Sequence, residues 1–254
     1  MDRFSVCHPI TAAWEGGWAD HPDDPGGKTM YGVTEGTYHG WLKSRGEPPR
    51  PVRQITKAEA LEIYRDNYWA PTAGRYNLVP GVDLATYDAS VNSGVSRGVK
   101  WLKAAVGSNN HADTVKAICR KRLGFMQSLA IWKTFGRGWG NRVADIEAKG
   151  VKMALEAMAV SKASRKLILK GEAESAERDE KTAKTNAGAS GTAGAASGGA
   201  AAGGETIDPS TFDPTTGWML AVAAVFALII AVHFIAKARA AKARKAAYQR
   251  EARI

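Results

Sequence analysis

The chain has 254 residues, 44% of them hydrophobic and 24% charged, with a formal net charge of +10, a length that holds one large or two small domains. The charge is uneven, +4 over residues 1–147, zero over 148–236 and +6 over 237–254; there is no basic stripe with a recognisable module, so nucleic-acid binding is excluded. Two cysteines, five scattered histidines and the lack of CxxC, HExxH or a glycine-rich phosphate loop leave neither a metal site nor an organic cofactor to be expected.

The first predicted element is a short helix with Pro9 in its first turn, where the missing N–H costs little. Ile10, Ala13 and Trp14 give it an apolar side, and Gly16 is its left-handed stop. Glu15 then stands at the negative end of the helix dipole between Trp14 and Trp18. Both surroundings disfavour an ionised carboxylate, which is the condition of a general acid; the bland alternative is a surface glutamate beside a glycine cap. Pro22, Pro25, Gly26 and Gly27 set a tight turn, and residues 28–33 have the length of a short strand. A small hairpin would fold Asp20, Asp23 and Asp24 back toward Glu15. Two carboxyls facing one cleft, one protonated and one ionised, are the minimum a glycosidase needs, although aspartates also cap their own turns.

Thr34 caps a helix whose spacing places Tyr38, Trp41 and Leu42 on one face. A proline-rich loop over residues 44–54 follows, then a capping box of Thr56 and Glu59 opening a helix that presents Leu61, Tyr64 and Tyr68. Pro71, Gly74, Pro80 and Gly81 mark an irregular connection. Residues 82–91 read as a helix with Leu84, Tyr87 and Val91 inward and Asp88 beside that stripe; Asn92-Ser93-Gly94 ends it. Residues 97–106 form the next helix and residues 113–135 a longer one, and Trp139 and Val143 close a globular part at about residue 147. Seven of the eight tryptophans fall in this part, where aromatics are core material first and sugar-cleft lining second. Cys7 and Cys119 fit buried free thiols better than a disulfide.

Residues 148–185 read as a helical stalk, and 186–216 as a flexible linker of Ala, Gly, Ser and Thr from which no core can form. Residues 217–236 form a transmembrane helix; its nineteen residues from Trp218 span about 28 Å. The basic tail, 237–254, is expected in the cytoplasm, which puts the globular part on the cell-wall side of the inner membrane. The N-terminus carries no recognisable cleavable signal. A holin-type pore or another lysis or secretion protein is therefore the partner such export would require.

Several of these blocks resemble one family. Glu15-Gly16-Gly17-Trp18, then Asp24-Pro25-Gly26-Gly27-Lys28-Thr29 and Gly32-Val33-Thr34, are similar to the N-terminal signature of glycoside hydrolase family 108, the bacterial and phage N-acetylmuramidases. Tyr68-Trp69, Asp88-Ala89-Ser90-Val91-Asn92-Ser93-Gly94 and residues 135–143 resemble its later blocks in the same order, so the likeness runs from about residue 7 to 147. It implies a mainly α, lysozyme-like domain with a small β-hairpin near the active site. It also implies cleavage of the β-1,4 bond of peptidoglycan, with Glu15 as catalytic acid. Glu15, Asp24 and Thr29 resemble the Glu, Asp, Thr trio of phage lysozymes, the Asp-to-Thr gap being one residue shorter here; Asp20 is the alternative partner. Tyr31, Thr34, Asp88 and Asn92 are the substrate-binding positions it implies. Two competing readings are a lytic transglycosylase, working through Glu15 without a second carboxylate, and a non-catalytic peptidoglycan-binding anchor of a lysis or secretion assembly.

Overall fold

The computed structural model describes residues 2–18, 20, 27–199 and 214–253. The tight turn with Asp23 and Asp24, and most of the second half of the expected linker, lie outside these residues. The chain divides into two compact units, the first made of residues 1–125 and 145–165 and the second of 126–144 and 166–254. The fold is mainly α, with one small antiparallel hairpin.

In the first unit, α1 (Arg3–Ala12) starts six residues before Pro9, because the Asp2 side chain accepts from the Phe4 N–H and caps it. Pro9 therefore sits inside the helix and not in its first turn. The carbonyl its missing N–H leaves over belongs to Ser5, which is exposed to water. Nor is Gly16 a left-handed stop: the helix closes at Ala13, and the 3.0 Å bonds from Trp14 N to Thr11 O and from Glu15 N to Ala12 O continue it as tight turns. The hairpin pairs β1 (Thr29–Met30) with β2 (Val33–Thr34). Thr34 caps α2 (Glu35–Ser44), which buries Tyr38, Trp41 and Leu42, and the Thr56–Glu59 capping box opens α3 (Lys57–Tyr64).

Past α3 the helix does not break but widens into a π-helical stretch, Arg65–Gly74, that contains Pro71. Wider i→i+5 bonding accommodates the ring: Arg75 N reaches Ala70 O at 2.9 Å, and the Thr72 hydroxyl donates to Tyr68 O. At the centre lies α4 (Val82–Ser93), with every residue from 82 to 90 buried, four of them polar. Asp83 satisfies itself there by accepting from the Gly81 and Leu84 N–H groups and from Arg3 at 2.7 Å. Against α4 packs α5 (Val95–Lys103), where a Cβ on Gly98 would stand 2.0 Å from Ser90 Oγ.

The single long helix expected over residues 113–135 is two, α6 (His111–Gln127) and α7 (Trp132–Ala157). The turn between them has no Gly or Pro, and Leu129 and Ile131 continue the apolar stripe across it. In the other direction, α7 runs unbroken through residue 147. Val151, Ala154 and Leu155 are buried, and Gly150 brings its backbone against Gly81 and Val115. The first unit accordingly extends to residue 165.

In the second unit, α8 (Lys162–Gly199) begins in the first and continues helical into the alanine-rich stretch read as linker; alanine has the highest helix propensity. Of α9 (Pro214–Arg253), residues 222–253 are long and apolar enough to cross a membrane. The helix does not stop at the basic tail but carries it.

Candidate active site

Glu15 lines a cavity of about 410 Å³ together with His8, Ala12, Gly16, Gly17, Tyr31 and four residues of α3. Two helical periodicities build it. His8, Ala12 and Glu15 recur at i, i+4 and i+7 along α1 and its closing turns, and Lys57, Ala60, Leu61 and Tyr64 recur at i, i+3, i+4 and i+7 on α3. The third side is the tip of the hairpin.

That tip is conformationally demanding. Tyr31 (φ +52°) and Gly32 (φ +75°) are both left-handed, as a two-residue turn matched to the strand twist requires. Glycine adopts this readily, whereas tyrosine does so at a cost of about 1–2 kcal/mol. The Tyr64 hydroxyl donates to the Tyr31 carbonyl at 3.0 Å and holds it there. A Cβ on Gly32 would lie 2.2 Å from the Tyr64 hydroxyl and 3.0 Å from Glu15 Oε2. The turn thus presses its bare backbone onto the half-buried carboxylate.

His8 joins the cavity to the core. Its ring lies 4.9 Å from that of Tyr64 and 5.1 Å from that of Phe4, and Nδ1 is 2.8 Å from the Tyr87 hydroxyl. Burial holds its pKa below the usual histidine value of 6.5, so the ring is neutral at pH 7. Burial raises the phenols of Tyr68 and Tyr87, and the Glu15 carboxylate pushes both the same way. They remain protonated hydrogen-bond donors.

The structure separates the predicted site residues. Tyr31 joins Glu15 in the cavity. Asp24 lies outside the described residues, and Asp20 is exposed. The Thr29 hydroxyl donates to Gly27 O at 3.1 Å, and the Thr34 hydroxyl serves as the α2 cap, 2.9 Å from that of Thr37. Asp88 is fully buried and paired with the equally buried Arg122 at 2.5 Å. A second nitrogen of that guanidinium donates to Asn92 Oδ1 at 3.0 Å. Asp88 and Asn92 are therefore one polar lock between α4 and α6, and neither lines the Glu15 cavity.

The tryptophans expected to flank Glu15 also point elsewhere. Trp14 donates to Asp145 Oδ2 at 3.1 Å, and the Trp18 ring lies 5.2 Å beneath Arg53. The apolar wall comes instead from Ala12, Ala60 and Leu61, with the Tyr64 ring. His8 and Tyr64 were the functional candidates missed; the seven-residue spacings from His8 to Glu15 and from Lys57 to Tyr64 are the signals that reach them. Among the described residues, Glu15 is the one carboxyl lining this cavity, and no group of three or more His, Cys, Asp or Glu is placed to hold a metal ion.

Comparison with known proteins adds two findings. Residues 9–94 match the family model described as Glycosyl hydrolase 108. The chain is also similar to a solved structure of SagA from Brucella abortus, at 31% identity and a TM-score of 0.52, over 60% of this chain and 95% of that one. No curated protein matches it.

Proposed function

The chain belongs to the glycosyl hydrolase 108 family, and from that premise we propose that it is a membrane-anchored N-acetylmuramidase. It cleaves the β-1,4 bond between N-acetylmuramic acid and N-acetylglucosamine in peptidoglycan. The observation that carries this is the position of Glu15, a half-buried carboxyl lining a cavity, with the backbone of a left-handed turn pressed against it. In the proposed mechanism Glu15 protonates the glycosidic oxygen as the bond to the muramic C1 breaks. Tyr31 and Tyr64 shape the pocket beside it, and Lys57 supplies a cation at its rim. Asp24 or Asp20 would stabilise the oxocarbenium-like state or activate water, with Thr29 orienting that water. Asp88 and Asn92 act at a distance, through Arg122, by fixing α4 behind the site. The apolar part of α9 anchors the protein to the membrane.

A second reading is favoured by Glu15 being the one cavity carboxyl among the described residues. In a lytic transglycosylase the same acid protonates the leaving oxygen, then takes the proton of the muramic C6 hydroxyl as that oxygen closes on C1, leaving an anhydro end. The test is digestion of purified peptidoglycan by the full chain in detergent, wild type beside Glu15→Gln, with fragments analysed by mass spectrometry. Glu15→Gln is expected to lower the rate by about 10²–10⁴-fold. Reducing muramic ends identify the hydrolase and anhydro ends the transglycosylase. Undiminished activity in Glu15→Gln, or no fragments from a folded wild type that still pellets with walls, would overturn the catalytic role and leave a wall-binding anchor.

A further inference from the structure

A second hollow, of about 650 Å³, lies on the first unit and shares no lining residue with the Glu15 cavity. Val95, Val99, Lys100 and Lys103 line it from α5, and Pro71 and Arg75 from the π-helical stretch and the residue that follows it. Its size falls in the range of about 300–1,000 Å³ common for ligand sites.

The lining is one-sided in charge. Among the described residues no carboxylate lines the hollow, and Arg75, Lys100 and Lys103 form no ion pair. Other arginines of the unit are matched: Arg45 pairs with Glu62 at 2.6 Å, Arg50 with Glu59 at 2.7 Å and Arg65 with Asp2 at 2.6 Å. On α5, Arg97 is also occupied, its guanidinium 4.7 Å from the Phe125 ring centroid and donating to Ser93 O at 3.1 Å. Lys100 and Lys103 suit the negative end of the α5 dipole, but Arg75 stands on another element and gains nothing from it. Three like charges around one hollow repel each other, and a bound anion offsets that cost.

The backbone is unusual where it brings Arg75 in. Arg75 N bonds Ala70 O at 2.9 Å, the i→i+5 bond of a π turn, a geometry rare in helices and frequent at functional sites. Between the cations the walls are aliphatic, from Pro71, Val95, Val99 and Ala104, and Ser96 adds a hydroxyl.

A ligand that fits is anionic at more than one point and apolar in between. Under the muramidase reading, on which this rests, the substrate supplies one. The sugar chain of peptidoglycan is neutral where its lactyl groups are amide-linked, whereas its peptide stems are short, contain alanine and carry free carboxylates. We propose that the hollow is a second binding site, which takes the carboxylates of a peptide stem through Arg75, Lys100 and Lys103. Arg75 offers a forked guanidinium that matches a carboxylate, and the lysines add point charges. The site holds the wall and takes no part in bond cleavage.

The test is pelleting of the full chain, in detergent, with purified peptidoglycan, in a Glu15→Gln background so that nothing is cut. The three cations are exposed, so Arg75→Gln/Lys100→Gln/Lys103→Gln leaves the core intact. It is expected to bind about tenfold more weakly in dilute buffer, a difference that should vanish in about 1 M salt. Arg75→Lys/Lys100→Arg/Lys103→Arg, which keeps the charges, should keep most of the binding. Free stem peptide should compete for the site, and the same peptide amidated at its carboxylates should not. Unchanged pelleting of the triple Gln variant, or equal competition by the amidated peptide, would overturn the proposal and leave the muramidase reading standing. Competition by glycerol phosphate and not by the peptide would also overturn it, giving the site to a phosphate headgroup. The muramidase reading fails separately, if the chain with Glu15 intact leaves walls uncut while the charge-dependent pelleting persists.

Discussion

Gly32 and Tyr64 meet at a single point, and that makes them separable by experiment. Gly32→Ala adds a Cβ 2.2 Å from the Tyr64 hydroxyl at a φ of +75°, and is expected to destabilise by about 1–3 kcal/mol. Tyr64→Phe alone gives up the bond to the Tyr31 carbonyl, at about 1 kcal/mol, but opens the space the Cβ needs. The double variant should therefore cost less than the sum of the two, with a coupling above about 0.5 kcal/mol in urea denaturation; strict additivity would mean the turn does not rest on Tyr64. His8 gives a pH signature. Burial depresses its pKa in the folded protein, so below the unfolded value near 6.5 the unfolded chain binds the proton first. Its contribution to stability is full above that pH and is lost as pH falls toward the folded pKa, at no more than about 1.4 kcal/mol per pH unit. His8→Gln should flatten this part of the stability profile, and an unchanged slope would remove His8 as its source. Glu15 was legible in the sequence because a carboxylate running into a glycine turn is a local pattern. The grip on it was not: that depends on Tyr31 being left-handed, which the strand twist imposes against the residue's own preference.

At the scale of elements, local signals survived and tertiary ones did not. The caps at Thr34 and Thr56 were readable because a cap is defined within four residues. The turn between α6 and α7 was invisible because no breaker marks it. The burial of α4 on all sides was hidden for another reason: Asp83, Thr86, Asp88 and Ser90 read as a polar face, and the Arg3 and Arg122 that neutralise the two carboxylates lie 80 and 34 residues away. Such a buried pair makes a strong prediction. Arg122→Met removes the cation from a fully buried Asp88, and is expected to cost about 3–5 kcal/mol. Asp88→Asn/Arg122→Met, which removes the charge as well, should recover part of that in thermal denaturation. If the single variant cost less than 1 kcal/mol, about the value of a surface pair, the lock between α4 and α6 would not be a buried ion pair in solution.

For the whole molecule, the question is where the enzyme ends. Resemblance and composition place that end near residue 147, where the run of recognisable blocks stops. Packing places it at residue 165, because Val151, Ala154 and Leu155 on the last turns of α7 are buried at 3% exposure or less. Gly150 there sits so close to Gly81 that a Cβ on the latter would stand 2.1 Å from its carbonyl oxygen. Each large apolar side chain buried is worth about 1.5–3 kcal/mol, and a domain of this size has about 5–15 kcal/mol in total. Ending the chain at residue 147 removes Val151 and Leu155, about 3–6 kcal/mol on that scale, together with Ala154 and the packing of Gly150 on Gly81 and Val115, a loss that reaches the lower end of the whole stability. A chain of residues 1–165 is therefore expected to melt in one cooperative transition and to digest solubilised peptidoglycan fragments at the full-length rate. Residues 1–147 should show no such transition by circular dichroism. Equal melting of the two would mean that residues 148–165 only extend the helix and that the packing of Gly150 on Gly81 contributes nothing. Unfolding of both would instead make residues 166–254 part of what holds the enzyme together.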